Sequence, residues 1–64
     1  MKEFIMYVKV MDKHYNILTR TTYIVIALTY RDAKQKARIK AKEEYGPSFP
    51  DERLYFRTSI GKYK

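Results

Sequence analysis

Residues 17–33, which read ILTRTTYIVIALTYRDA, decide the fold of this chain. Positions 17–28 are dominated by threonine, isoleucine, valine and tyrosine, whose branched or aromatic side chains fit a pleated strand better than a helix. Thr29 then stands three residues before Asp32, which is the spacing of a helix N-cap followed by an acid in the first turn. The stretch therefore predicts a long strand that ends at Leu28 and a helix that begins directly after Thr29.

The predicted helix carries one stripe of small side chains. Apolar residues recur at three- and four-residue spacing, so they share one face, and Gly46-Pro47 ends the helix. The stripe consists of Ala33, Ala37 and Ala41, with Tyr30 and Tyr45 at its two ends. Small side chains let a helix lie close to a sheet, and the two tyrosine rings are expected to close the ends of the contact.

In two further segments, successive side chains fall into two alternating sets, with the period of two that is typical of strands. The first spans residues 4–11, and the turn formers at 12–16 join it to the second strand as a hairpin. The third strand is predicted over 53–60. Positions 62–64 are expected to fray as a basic tail.

The order of elements is therefore ββαβ, within a single small domain that spans residues 1–64. A right-handed crossover places strand three beside strand one, so the sheet order is 2-1-3 and all neighbours are antiparallel. The predicted fold class is α+β, with two layers: a three-stranded antiparallel sheet and one helix packed on one face. The opposite face of the sheet stays open to water or to a partner.

Two registers are open for strand two, because both of its faces are apolar. In the first register, the residues that face the helix are Ile24, Ile26 and Leu28. In the second, displaced by one residue, they are Tyr23, Val25 and Ala27. The second register makes the open face too hydrophobic for an isolated monomer, and self-association then becomes the favoured interpretation.

The charge of the chain favours polyanions as partners. The chain contains fourteen Lys and Arg residues and seven Asp and Glu residues, which gives a formal net charge of +7. Such a surface concentrates anions, so affinity for nucleic acid is expected. Hydrophobic residues make up 45% of the chain and aromatic residues 16%, which is too much for a disordered segment.

Two sets of residues are candidates for contacting nucleic acid. On the helix, cations fall within a sector of roughly 80°, where they could follow phosphates. This basic stripe consists of Arg31, Lys34, Arg38 and Lys42. On the open face, in the first register, tyrosines flanked by cations could stack on bases. That set consists of Tyr7, Lys9, Tyr23, Arg53, Tyr55 and Arg57. The alternatives are a solvated helix face and tyrosines that form cross-strand pairs or a dimer contact.

Several classes of function are disfavoured by what the sequence lacks. It contains no cysteine, which excludes a disulfide scaffold and a cysteine-ligated zinc site. His14 is the single histidine and lies in the predicted turn, without the neighbours that a metal site or an acid–base pair needs. No apolar run approaches the ~20 residues of a membrane span. We expect a cytoplasmic, non-enzymatic protein with no cofactor, no metal, no membrane contact and no small-molecule substrate.

The strand-to-helix junction also has a family resemblance. The pattern Val25-x-Ala27-x-Thr29-x-x-Asp32-Ala33-x-x-x-Ala37 resembles the junction of small ββαβ modules, among them archaeal ribosomal proteins of the LX type and small phage-encoded proteins. The resemblance covers this junction alone and implies the ββαβ order, with no function attached.

The sequence leads to two functional hypotheses. The first is a small basic accessory protein that binds RNA or DNA through the helix stripe and the open tyrosine-bearing face. The second is a protein–protein interaction module, such as a regulator or inhibitor from a phage or mobile element. It would form a homodimer, or bind a host protein, through the open face or the free edge of strand two.

Overall fold

A computed structural model describes residues 1–50 and 53–63, and the element order is ββαβ. The strands are β1 (Lys2–Met11), β2 (Ile17–Ala27) and β3 (Tyr55–Tyr63), and the helix is α1 (Tyr30–Tyr45), followed by a short 3-10 turn at Gly46–Ser48. The sheet order is β2-β1-β3, and both pairs are antiparallel. The predicted α+β fold, with one helix on a three-stranded sheet in the order 2-1-3, is confirmed.

Helix α1 begins and packs as the alanine pattern predicts. The Thr29 hydroxyl oxygen accepts a hydrogen bond from the backbone N–H of Asp32 at 3.2 Å, which satisfies one of the free amides of the first turn. The alanine stripe is fully buried against the sheet. Tyr45 packs against the core, but Tyr30 stays exposed, and its ring instead lies 5.4 Å from the Lys34 ammonium nitrogen. The expectation that Tyr30 closes one end of the helix contact was therefore wrong.

The core lies between α1 and one face of the sheet. The central strand contributes more buried residues to it than any other described element: Phe4, Met6, Val8 and Val10. From β2 the buried residues are Val25 and Ala27, with Tyr23 partly buried beside them.

Strand β2 therefore adopts the second register. Phe4 opposes Val25 and Met6 opposes Tyr23, so the prediction that Ile24, Ile26 and Leu28 face the helix was wrong. The hairpin sets this pairing through an irregularity between Val10 and Met11. The alanine-lined helix also lies close to β2, which leaves room for valine and alanine but little for two isoleucines.

Strand β3 starts later than predicted and continues further. Its last residues pair with the beginning of β1, where Tyr63 opposes Phe4. The predicted frayed tail was therefore wrong at positions 62 and 63, because β1 already begins at Lys2 and offers them partners; position 64 lies outside the described residues. No helix in the described part of the chain is long and apolar enough to cross a membrane.

Candidate nucleic-acid interface

The open face of the sheet carries a row of three cations, one from each strand. Lys9 on β1 directly opposes both Arg20 on β2 and Arg57 on β3, and all three side chains are exposed. Since neighbouring strands lie about 4.8 Å apart, these side chains originate within about 10 Å of one another. Among the residues that the structure describes, no carboxylate forms an ion pair with any of the three. We call these residues the cationic row.

Directly opposed like charges destabilise a sheet, so the cationic row carries an energetic penalty that no ion pair with another described residue offsets. Lys9 and Arg57 were predicted on this face and are found there. Arg20 was missed, because the first register turned it toward the helix. Its exposure follows from the same displacement that moves Tyr23 inward.

Beside the cationic row, at the hairpin end of the sheet, three side chains contact one another in sequence. The ring centroids of Tyr15 and Tyr55 are 5.4 Å apart with an angle of 40° between the planes. On the Tyr55 ring lies the guanidinium of Arg53, 5.5 Å from the centroid. Arg53 and Tyr55 were predicted site residues, whereas Tyr15 was assigned only to a turn.

These aromatic rings and four cations line one groove at the hairpin end. Its volume is about 600 Å³, and we call it the hairpin groove. The cations are Lys9, Lys34, Arg38 and Arg57, and the aromatic residues are Tyr15, Tyr55 and Phe56. The remaining lining residues are Met11, Ile17 and Thr58. No acidic side chain is among its described lining residues, so the groove is a strongly positive concavity with aromatic walls.

The predicted basic stripe on α1 lines a second groove, of about 550 Å³, which we call the helix groove. It contains all four predicted cations, Arg31, Lys34, Arg38 and Lys42, together with Tyr30, Gln35 and Ile39. Lys34 and Arg38 belong to both grooves. The two basic regions that the sequence suggested separately therefore form one continuous surface.

The predicted platform of three tyrosines does not form. Tyr7 is on the open face, with its ring packed over Gly61: a Cβ atom at that glycine would lie 2.5 Å from Tyr7 Cε2. Tyr23 lies on the other face, where its hydroxyl donates to Glu44 Oε2 at 2.6 Å. Burial, followed by this hydrogen bond, raises the pKa of Tyr23 to about 12. Tyr23 is therefore removed from the candidate site, and the aromatic pair is Tyr15 with Tyr55.

The opposite end of the open face carries a group of exposed apolar side chains, with Glu3 opposite Ile26. The exposed fractions of Ile24, Ile26 and Leu28 are 60%, 56% and 64%. Ile5 opposes Ile24 across the strand pair and extends the same surface. We call these four residues the apolar end; the open face thus changes from apolar to cationic along its strands.

Searches against protein families, curated proteins and solved structures find no match to this chain. Within residues 1–50 and 53–63, no group of three or more His, Cys, Asp or Glu side chains could hold a metal ion. The two grooves and the apolar end are therefore the features of the molecule that indicate its function.

Proposed function

We propose that this protein is a small, non-enzymatic accessory protein that binds nucleic acid. It contacts phosphates with the cations of the hairpin groove and the helix groove. The observation that supports this most directly is the hairpin groove, where four cations and a tyrosine pair line one concavity without an acidic residue among them. Nucleic acid offers both of the groups that such a surface binds, since its phosphates are anions and its bases are flat aromatic rings.

The electrostatics of the cationic row support the same proposal. Three like charges in register oppose folding, and an anionic ligand relieves their repulsion when it binds. Phosphate contacts carry no information about base sequence. Binding is therefore expected to depend steeply on salt and weakly on sequence.

The test compares two double variants with the same net charge. Lys9→Gln with Arg57→Gln removes two cations from the hairpin groove, whereas Lys13→Gln with Lys40→Gln removes two exposed cations that line neither groove. Fluorescence anisotropy of a labelled oligonucleotide is measured across a salt series. The groove variant should lose about tenfold in affinity or more at low salt. Its salt slope should fall by about 0.7 to 0.9 for each lost phosphate contact.

The control variant separates a binding site from a general effect of charge. It should retain most of the affinity and most of the salt slope of the parent protein. An equal loss in both double variants would mean that net charge alone attracts the oligonucleotide. Absence of binding to the parent protein at low salt would overturn the proposal outright.

Self-association is a second candidate function, and the register of β2 favours it. The apolar end exposes Ile24 and Ile26 on β2 and Leu28 directly after it, and a second copy of the chain would bring the same surface to it under two-fold symmetry. If the strands of the two copies run antiparallel across the contact, the two cationic rows lie at opposite ends of the dimer, where they do not repel each other. The hairpin groove stays open in such a dimer, so both functions can coexist.

Light scattering coupled to size-exclusion chromatography tests this second candidate. The parent protein should elute with the mass of a dimer that moderate salt leaves intact, and Ile24→Lys should give a monomer. Ile39→Lys is the matched control, since Ile39 is exposed on the helix, away from the apolar end. A parent protein that stays monomeric at high concentration would rule out the dimer.

A further inference from the structure

We infer that the hairpin groove takes single-stranded nucleic acid, with Tyr15 stacking on an unpaired base. This inference rests on the proposed function and specifies the class of ligand. It is carried by the position of Tyr15, by the free surface of its ring and by the cations that surround it.

The hairpin turn holds Tyr15 in place. Its φ is 63°, in the left-handed region that bulky residues seldom adopt. Asp12 organises the turn: its Oδ1 accepts from the backbone N–H groups of His14 at 2.8 Å and Asn16 at 3.0 Å. The Asp12 carbonyl oxygen also accepts from the backbone N–H of Tyr15 at 3.0 Å. The backbone amides of Asn16 and His14 donate to the Asp12 carboxylate and hold its pKa below its usual value.

The ring of Tyr15 contacts Tyr55, and Tyr15 is otherwise largely exposed. The tilted contact with Tyr55 supports the ring, yet 67% of the residue's surface is exposed. Arg53 covers Tyr55 and adds a cation to the same array. The outermost tyrosine is therefore a preformed surface on which another aromatic ring can stack.

The cations that share the groove with Tyr15 fix where the backbone of the ligand runs. Lys9 and Arg57 extend from the open face, and Lys34 and Arg38 from the helix. A strand whose base stacks on Tyr15 has its flanking phosphates within the same positive concavity. Four cations around one aromatic pair match a chain of alternating phosphates and bases, which is the general mode of single-strand binding.

A duplex does not fit this arrangement. Its bases are stacked on one another, so no base face is free for Tyr15 until a base is removed from the stack, which costs free energy. An unpaired strand offers base faces without that penalty. Single strands should therefore bind more tightly than duplexes of the same sequence.

The experiment compares the parent protein with Tyr15→Leu and Tyr15→Phe, on a labelled single-stranded oligonucleotide and on its duplex. Tyr15→Leu should lose about 5- to 150-fold in affinity for the single strand. Its salt slope should stay unchanged, because stacking releases no counterions. Tyr15→Phe keeps the ring and should bind like the parent. Duplex affinity, weaker at the start, should be the same in all three proteins.

Both DNA and RNA single strands are measured, and tighter binding of either one than of its duplex supports the inference. Duplex binding equal to or tighter than single-strand binding overturns it, as does parental affinity in Tyr15→Leu. A loss in Tyr15→Phe as large as in Tyr15→Leu also overturns it, because the hydroxyl group rather than the ring would then carry the contact. In each of these cases the Lys9→Gln, Arg57→Gln variant still shows whether the proposed function holds. Far-UV circular dichroism confirms that each variant is folded.

Discussion

The two faces of the sheet are built from the same three strands, and they differ in how far the fold satisfies their side chains. On the face that α1 covers, Met6 and Val10 are fully buried and the hydroxyl of Tyr23 has a carboxylate partner. On the open face, the cationic row has no described acidic partner and the apolar end is exposed to water. Most of the covered face is therefore satisfied within the chain, whereas the open face exposes both cations and large apolar side chains.

The largest expected difference between the two faces is in how much a substitution on each one lowers the free energy of unfolding. Met6→Ala removes a fully buried side chain from the centre of the core and should lower the free energy of unfolding by about 2 to 5 kcal/mol. Ile24→Ala removes an exposed side chain and should change it by about 0.5 kcal/mol or less, measured in dilute protein so that self-association does not contribute. Urea unfolding measures both values. Similar losses in the two variants would contradict the assignment of the faces.

A smaller effect on the free energy of unfolding is expected from a buried polar atom on the covered face. The hydroxyl oxygen of Thr58 is buried and has no hydrogen-bond partner among the described residues. Thr58→Val keeps the shape and removes this oxygen, so it should raise the free energy of unfolding by about 1 kcal/mol. Thr22→Val, on the exposed open face, is the matched control and should give a change close to zero. A destabilised Thr58→Val variant would show that the hydroxyl is paired.

A further difference comes from Tyr23 on the covered face, whose contribution to stability changes with pH only in alkaline solution. Its folded-state pKa is raised to about 12, above the ordinary value of 10.0, so the neutral form is favoured in the folded protein. The resulting stabilisation is fully present below pH 10 and is lost as the pH rises toward 12. The difference in unfolding midpoint between the parent and Tyr23→Phe should shrink over that interval. Parallel curves for the two proteins would contradict the raised pKa.

The sequence predicted those parts of the fold where one pattern outweighed its alternatives. The alternation in β1, the Thr29 cap and the alanine stripe each allowed one structural interpretation, and the structure confirms all three. The register of β2 had two readings, because Ile24 and Val25 are equally suited to a core. Tertiary packing decides between them, through the hairpin pairing and the close approach of α1.

The candidate site could likewise be predicted only where a single pattern fixed the position of a residue. The helix stripe follows from helical geometry alone, and the structure brings its four cations together in one groove. Arg20 depends on the register of β2, so its place in the cationic row could not be read from the strand itself. Tyr15 depends on the conformation of a turn, although a bulky aromatic residue between His14 and Asn16 was a signal that the turn presents a ring.

On the proposed function, the cationic row lowers the stability of the fold and binds an anionic ligand, and Lys9→Glu tests both effects most directly. The substitution places an acid between Arg20 and Arg57 and converts two repulsive cross-strand pairs into attractive ones. Urea unfolding and oligonucleotide binding are measured on the same sample. We predict that the free energy of unfolding rises by about 0.2 to 1 kcal/mol per pair while affinity for the oligonucleotide falls by about tenfold or more. A variant that is less stable than the parent, or that binds as tightly, would contradict this account.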